Sequence, residues 1–343
     1  MRKYSLFLFV LILCSCKENK FDKLFTERMK KDGPGASVLI MKGDSIIFSK
    51  SYGFADLKTQ EPITSKTLFN LGSISKTFVM NSILILRDEG KLSLEDSLIK
   101  YFPEFKNKEI ATKVKIKHLL THTSGLPDIR PVQEQREFYL TADDAQNWAP
   151  ITQADSLEFE PGSKYEYSNP AFNALALIIE KVTGNNWRDF VRERIFKPAE
   201  MTSSTITDGA HPESGVSHGY VWENEKWNEL DYGEEPTFCA AGNGGVWSSV
   251  EELLKYQRAL EAANFSNAKT IAESMEEKSF GIGWSWFIEK TKGSLKTVGH
   301  TGTQGGFYCD YITVPEKKIV YIMLANFPID RDELHVKMLD LLE

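Results

Sequence analysis

Ser73-Ile74-Ser75-Lys76 sets a hydroxyl and an amine three residues apart. The apolar run that follows (Ile74, Phe78, Val79, Met80, Ile83, Leu84, Ile85, Leu86) has hydrophobic residues on nearly every side. That pattern predicts a buried helix. On a helix, positions i and i+3 share a face, so Lys76 can reach the Ser73 hydroxyl. Burial disfavours an ammonium and lowers its pKa, which would let Lys76 take the serine proton. The start of a helix also carries partial positive charge, where a developing oxyanion would be stabilised. Spacing alone does not decide this, because Ser97-Leu98-Ile99-Lys100 repeats it. Ser73 differs in having Gly72 before it, which permits close backbone approach, and the apolar helix after it; Ser97 reads as a surface residue.

Two further clusters carry suitable groups. Tyr167-Ser168-Asn169 precedes an apolar helix. A phenol near two cations can have its pKa lowered and act as a base, and an asparagine amide can orient lysine and substrate. Taken alone, the pair reads as a ring packed at a helix start with Asn169 as a cap. His300-Thr301-Gly302-Thr303 lies at a strand edge ahead of Gly305-Gly306. There a glycine would let a substrate backbone lie against the strand, with the next amide aimed at a carbonyl oxygen.

The positioning elements follow from periodicity. Lys20 to Lys31 predicts an opening helix stopped by Gly33-Pro34. Ala36 to Met41 and Ser45 to Ser49 predict strands joined at Lys42-Gly43-Asp44. The buried helix runs from Ser73 to Asp88 and ends at Glu89-Gly90. Residues from about 91 to 240 read as helices and loops, the clearest being Ala171 to Lys181 with Gly184 beyond it. Phe280 to Glu289, Leu295 to Val298, Phe307 to Val314 and Ile319 to Ala325 predict strands. A closing helix spans Asp330 to Leu342, with Asp330 and Glu333 placed as a capping pair. Strands at both ends with helices between predict an α+β fold: an antiparallel sheet flanked by helices, with an inserted, mostly helical lobe. The sheet lobe would take about 20–90 and 241–343, and the helical lobe about 91–240. A cleft between lobes is where small-molecule sites usually lie.

Together, and in this order, Gly-Ser-x-Ser-Lys, Tyr-Ser-Asn and His-Thr-Gly resemble the serine β-lactamase-like family of class C β-lactamases, low-molecular-weight D,D-peptidases and related esterases. Phe69-Asn70-Leu71-Gly72, His118 to Pro127, Pro161 to Gly184, Phe196-Lys197-Pro198 and Ala240 to Ser249 resemble it too. The resemblance implies a β-lactamase/transpeptidase-like fold from about residue 20 onward. It makes Ser73 the nucleophile, Lys76 its proton partner, and Tyr167 the base for acylation and acid for the leaving group. Asn169, His300, Thr301 and Gly302 would hold the substrate, and the Ser73 and Thr303 N–H groups would form the oxyanion hole. Acylation of Ser73 would be followed by hydrolysis of the acyl-enzyme, without cofactor or metal. The alternative is a ligand-binding or sensor protein of the same fold without turnover.

Two departures bear on substrate. His300 stands where class C β-lactamases have Lys, and a neutral imidazole binds a β-lactam or peptide carboxylate less firmly than a permanent cation. Those enzymes also place a Gln soon after Leu-Pro, whereas Asp128-Ile129 follows Leu126-Pro127, and Ile129 cannot hydrogen-bond an acyl amide. An esterase or peptidase is therefore expected rather than an efficient β-lactamase, acting on a carboxylic ester or a D-amino-acid peptide. His118, His122, Glu166, Trp247, Trp284 and Trp286 read as structural. Gly242-Asn243-Gly244-Gly245 lacks the Lys-Ser/Thr ending of a phosphate loop and reads as tight packing beside the site.

The chain has 343 residues, 41% apolar and 26% charged, with a net charge of −7. At roughly 150 residues per domain this means about two domains or one large one. The acidity argues against a nucleic-acid partner. No run of about 20 apolar residues exists to span a membrane. Met1-Arg2-Lys3, the apolar Leu6 to Leu13, and then Leu13-Cys14-Ser15-Cys16 resemble a bacterial lipoprotein signal. That implies a leader over 1–15, a lipid on Cys16, and an exported, membrane-anchored hydrolase; the alternative is an ordinary secretory signal that contains two cysteines. Cys239 and Cys309 could bridge in an oxidising compartment. No Cys/His spacing suggests zinc. Oligomeric state is not encoded in any motif.

Overall fold

The computed structural model describes residues 19–132, 134–208, 212, 214–230, 239–290 and 295–342. The leader and Cys16 lie outside the described residues. Six strands form the main antiparallel sheet: β1 (Ala36–Lys42), β2 (Ser45–Tyr52), β3 (Phe287–Lys290), β4 (Lys296–Gln304), β5 (Phe307–Val314) and β6 (Ile319–Ala325), in the order β3-β4-β5-β6-β1-β2. The two ends of the chain meet where β1 pairs with β6 from Ala36↔Ala325 to Lys42↔Ile319.

Both faces of the sheet are covered, so its central strands are continuously buried; every residue of β6 is buried. Alternate side chains serve different layers. Val38, Ile40, Tyr321 and Met323 face α1 (Lys20–Thr26) and the closing helix at Arg331–Leu342. Leu39, Met41, Ile322 and Leu324 join the larger core with α2 (Lys76–Asp88), α3 (Asn169–Thr183) and α4 (Val250–Glu261). The closing helix, α5, begins with the Glu333 N–H on the Asp330 carboxylate at 3.0 Å. Arg28, just beyond α1, pairs with Glu333 at 2.9 Å and ties α1 to α5.

Helix α2 is buried from Lys76 through Leu86, as its all-round apolar sequence requires. Its first turn, Gly72–Ser75, is a tighter 3₁₀ turn. Helix α3 is bounded by Ser168, whose hydroxyl accepts the Ala171 N–H at 3.3 Å, and by Gly184 at φ 70°.

Several elements differ from expectation. Helix α1 stops at Thr26 rather than Lys31. The strand expected from Phe280 begins only at Phe287, because Phe280, Gly281 and Ser285 all have positive φ and turn the chain. Strand β4 continues six residues past Val298 to Gln304, carried by its pairing with β5. The stretch from 91 to 240 also contains strands. Thr205–Ile206 joins Val246–Ser248 and Phe69–Asn70 in a small sheet, and Tyr220–Glu223 pairs with Lys226–Glu229. Cys309 is a buried thiol and is not bridged to Cys239.

Candidate active site

The site forms where the 3₁₀ turn at the start of α2 meets the far half of β4 and the start of α3. Two glycines permit that meeting. A Cβ on Gly302 would lie 1.9 Å from Leu71 O and 3.2 Å from Ser73 N, and one on Gly72 (φ 50°) would lie 2.8 Å from Thr303 N. Backbone therefore packs on backbone, and the amides of Ser73 and Thr303 come to the same gap. Two short bonds steady the turn: Gly72 N–H to Asn70 Oδ1 at 2.8 Å and Val246 N–H to Ser75 Oγ at 3.0 Å.

Lys76 is fully buried. Its Nζ lies 3.0 Å from Ser73 Oγ, 2.9 Å from Asn169 Oδ1 and 2.8 Å from Asn243 O. Burial first, and the nearby Arg130 guanidinium second, push its pKa well below the usual lysine range. A neutral amine held against a serine hydroxyl can remove its proton. By contrast, Ser97 and Lys100 form no such pair; Lys100 bonds Asp96 at 2.8 Å.

Tyr167 hydrogen-bonds Ser73, and its ring lies 5.2 Å from Lys76 Nζ. Its pKa is raised, not lowered as expected. Desolvation of the phenol end dominates although the residue as a whole is 38% exposed, and the one cation alongside is itself a depressed lysine. The resting Tyr167 is thus a phenol that can donate a proton. Of the two groups, Lys76 is the one whose neutral, proton-accepting form the fold favours.

His122, read as structural, turns out to grip the Tyr167 segment. Its ring stacks on Tyr167 at 4.4 Å and 29°. Its carbonyl accepts the Glu166 N–H at 2.8 Å, and its Nδ1 accepts the Ser168 N–H at 3.0 Å. The Nδ1 bond leaves the proton on Nε2. Burial holds this imidazole well below the usual histidine range, and so neutral.

His300 is only 1% exposed, and burial drives its pKa down to about 3. Its Nδ1 faces Thr301 O at 2.6 Å. A carbonyl only accepts, so Nδ1 carries the proton and Nε2 is a bare acceptor. From behind β4, Arg331 Nη1 donates to Gly302 O at 2.8 Å and to Cys309 O at 3.3 Å.

A buried polar network backs Lys76. The Asp144 carboxylate accepts from Asn173 Nδ2 (2.6 Å), Gly242 N–H (2.8 Å) and Trp187 Nε1 (3.0 Å). Asn243 Nδ2 then bonds Asn173 Oδ1 at 3.2 Å, which holds the Asn243 carbonyl on Lys76. Burial raises the Asp144 carboxyl to about 7. The glycines around Asn243 do serve packing: a Cβ on Gly242 would meet Ala176 Cβ at 2.9 Å.

The structure therefore brings together Ser73, Lys76, Tyr167, Asn169, His300, Gly302 and Thr303. Sequence reading missed the Asn243 carbonyl, Asp144 and Arg331, since none carries a local signal. Ile129 is 48% exposed, and Trp247, Trp284 and Trp286 are core residues.

A profile of the Beta-lactamase family matches residues 21–342. Penicillin-binding protein 4* of Bacillus subtilis is 27% identical over 341 residues, covering 90% of this chain and 72% of that protein. Protein flp of Staphylococcus aureus is 26% identical over 339 residues; the alignment takes in 92% of this chain but only 64% of that longer protein. The octameric penicillin-binding protein homologue from Pyrococcus abyssi superposes with a TM-score of 0.83 at 24% identity, over 94% of this chain and 76% of that one, and so shares the fold. The chain belongs to the β-lactamase family of serine hydrolases.

Proposed function

We propose that the protein hydrolyses a carboxylic ester or an amide, including D-amino-acid peptides, through an acyl-enzyme on Ser73. The supporting observation is the buried Lys76 amine, 3.0 Å from Ser73 Oγ. Lys76 takes the Ser73 proton as Oγ bonds the substrate carbonyl carbon. The resulting oxyanion is met by the Ser73 and Thr303 N–H groups. As the carbonyl re-forms, the C–O or C–N bond breaks and the Tyr167 O–H protonates the leaving group. Lys76 then returns its proton to Tyr167. Water repeats the sequence on the ester and frees Ser73. Asn169 and the Asn243 carbonyl hold Lys76 in line throughout. The neutral His300 and apolar Ile129 favour ester or amide over efficient β-lactam turnover. Cys16 is proposed to carry a lipid that holds the hydrolase on the outer side of a membrane, supported by the sequence around it; mass determination of the mature N-terminal peptide tests that.

Intact mass after incubation with benzylpenicillin, with Ser73→Ala alongside, tests the reaction. An adduct on the wild type alone marks Ser73 as nucleophile and a penicillin-binding peptidase. No adduct and unchanged drug, with esters still cleaved, marks an esterase. Ester and amide hydrolysis that survives Ser73→Ala would overturn the proposal.

A further inference from the structure

Strand β3 covers only half of β4. Pairing runs from Phe287↔Gly299 to Lys290↔Lys296 and then stops. The chain entering β3 turns off at Ser285 (φ 66°), and Trp286 drops into the core, where its Nε1 meets Ser274 Oγ at 3.2 Å. Among the described residues, His300 to Gln304 therefore have β5 on one side and an open edge on the other. An extended ligand can add to such an edge. Phe287 stands at its closed end. Its ring lies 4.7 Å from the His300 ring and 6.4 Å from the Tyr167 ring, so three aromatic rings from separate segments wall this end.

Among the described residues, the wall carries no available positive charge. His300 is buried with its acceptor Nε2 unmatched by any protein donor. Two guanidinium groups influence the site, but both are committed. Arg130, with its side chain 7% exposed, bonds Asp128 at 2.8 and 2.6 Å and Asn147 at 2.6 Å. Arg331 holds two β-strand carbonyls, lies against the Tyr308 ring, and stands 3.9 Å from Asp310, a 2% exposed carboxylate whose oxygens have no hydrogen-bond partner. Drawing Arg331 toward a ligand would leave Asp310 as an uncompensated buried charge, which is strongly unfavourable.

We infer that this end of the cleft is a neutral, aromatic-walled leaving-group pocket, sized by Phe287, that takes a compact uncharged group and rejects one bearing a carboxylate. The inference rests on the acyl-enzyme reading above, and it narrows that reading. A simple alcohol, phenol or primary amide departs here in preference to an amino acid with a free carboxylate.

The test keeps the acyl group fixed as acetyl. Three chromogenic esters are compared at pH 8: p-nitrophenyl acetate, the acetate of 5-hydroxy-2-nitrobenzoic acid, and the methyl ester of the latter. At that pH Asp310, whose burial lifts its carboxyl to about 7, is ionised and holds Arg331. Wild-type kcat/KM for the carboxylate should fall at least about 20-fold below that of its methyl ester. His300→Lys should narrow that gap by about tenfold. Phe287→Ala should raise the methyl ester several-fold relative to the unsubstituted p-nitrophenyl ester, with Phe287→Leu intermediate. Carboxylate and methyl ester cleaved equally by the wild type would overturn the inference, whether or not the variants fold. An unchanged size ratio in a folded Phe287→Ala would remove Phe287 from the account. No ester cleaved above the Ser73→Ala background would instead refute the hydrolase reading itself, and the pocket with it.

Discussion

Replacing Lys76 by Arg separates two ways in which a buried cation-capable group could serve Ser73. In one, the group is a neutral amine that removes a proton; in the other, it is a fixed positive charge. Lys76 Nζ has three oxygen neighbours at 2.8 to 3.0 Å and no solvent exposure. Burial and Arg130 hold its pKa well below 10.5. A guanidinium keeps the charge and cannot lose its proton at any assay pH. If Lys76 is the base, Lys76→Arg and Lys76→Met should slow acylation alike, by about 10²- to 10⁴-fold. That corresponds to about 3–5 kcal/mol of barrier. The assay is the exponential release of nitrophenol from p-nitrophenyl acetate under single-turnover conditions, which isolates acylation. Its rate in the wild type should rise with pH, since the ammonium form cannot accept a proton, and level off well below the ordinary lysine range. Tyr167, with its pKa raised, adds no second limb at neutral pH. An Arg variant within about tenfold of wild type beside a dead Met variant would show that Lys76 acts through charge, and the argument from burial would fail.

Three other outcomes follow from the same geometry. Tyr167→Phe removes the leaving-group proton, so it should slow a primary amide by about 10²-fold or more and a nitrophenyl ester far less; equal losses on both would reassign Tyr167. Asp144→Ala strands three buried donors, which costs about 3–5 kcal/mol. At this chain length that lowers the melting temperature by about 5 °C, read by calorimetry, with Asp144→Asn losing less; no shift would mean the network bears no load. Gly302→Ala forces a methyl group to within 1.9 Å of the Leu71 carbonyl. The strand must move off the Ser73 turn, and kcat/KM should fall by about 10²-fold while circular dichroism stays native.

How far the sequence could be read depended on the range of each interaction. The Ser73–Lys76 pair was legible because helical spacing alone brings i and i+3 together. The burial of α2 was legible because a helix apolar on all sides has nowhere else to go. The strands β1, β5 and β6 were legible as buried apolar runs between turns. Strand β4 was read short because Gly299 and Gly302 are poor strand formers; pairing with β5 carries them into the sheet. The stretch from Phe280 to Trp286 looked like strand because it is apolar, but its left-handed residues fold it into turns. The two-residue strands at Phe69–Asn70 and Thr205–Ile206 exist only through partners far along the chain.

The chemistry on offer was thus set by residue identity and short-range spacing: a serine beside a lysine, a tyrosine ahead of a helix, a histidine on a glycine-bearing strand. What those groups do was decided by the tertiary structure. Lys76 meets its acceptors across 93 and 167 residues of chain, and no local pattern reaches that far. Tyr167 was expected to be acidified by neighbouring cations. In the fold its neighbours are a neutral histidine, a phenylalanine and a desolvated lysine, so its pKa moves the other way. Protonation states follow from desolvation and charge at a distance of a few ångströms, and only the packed chain defines which groups stand that close.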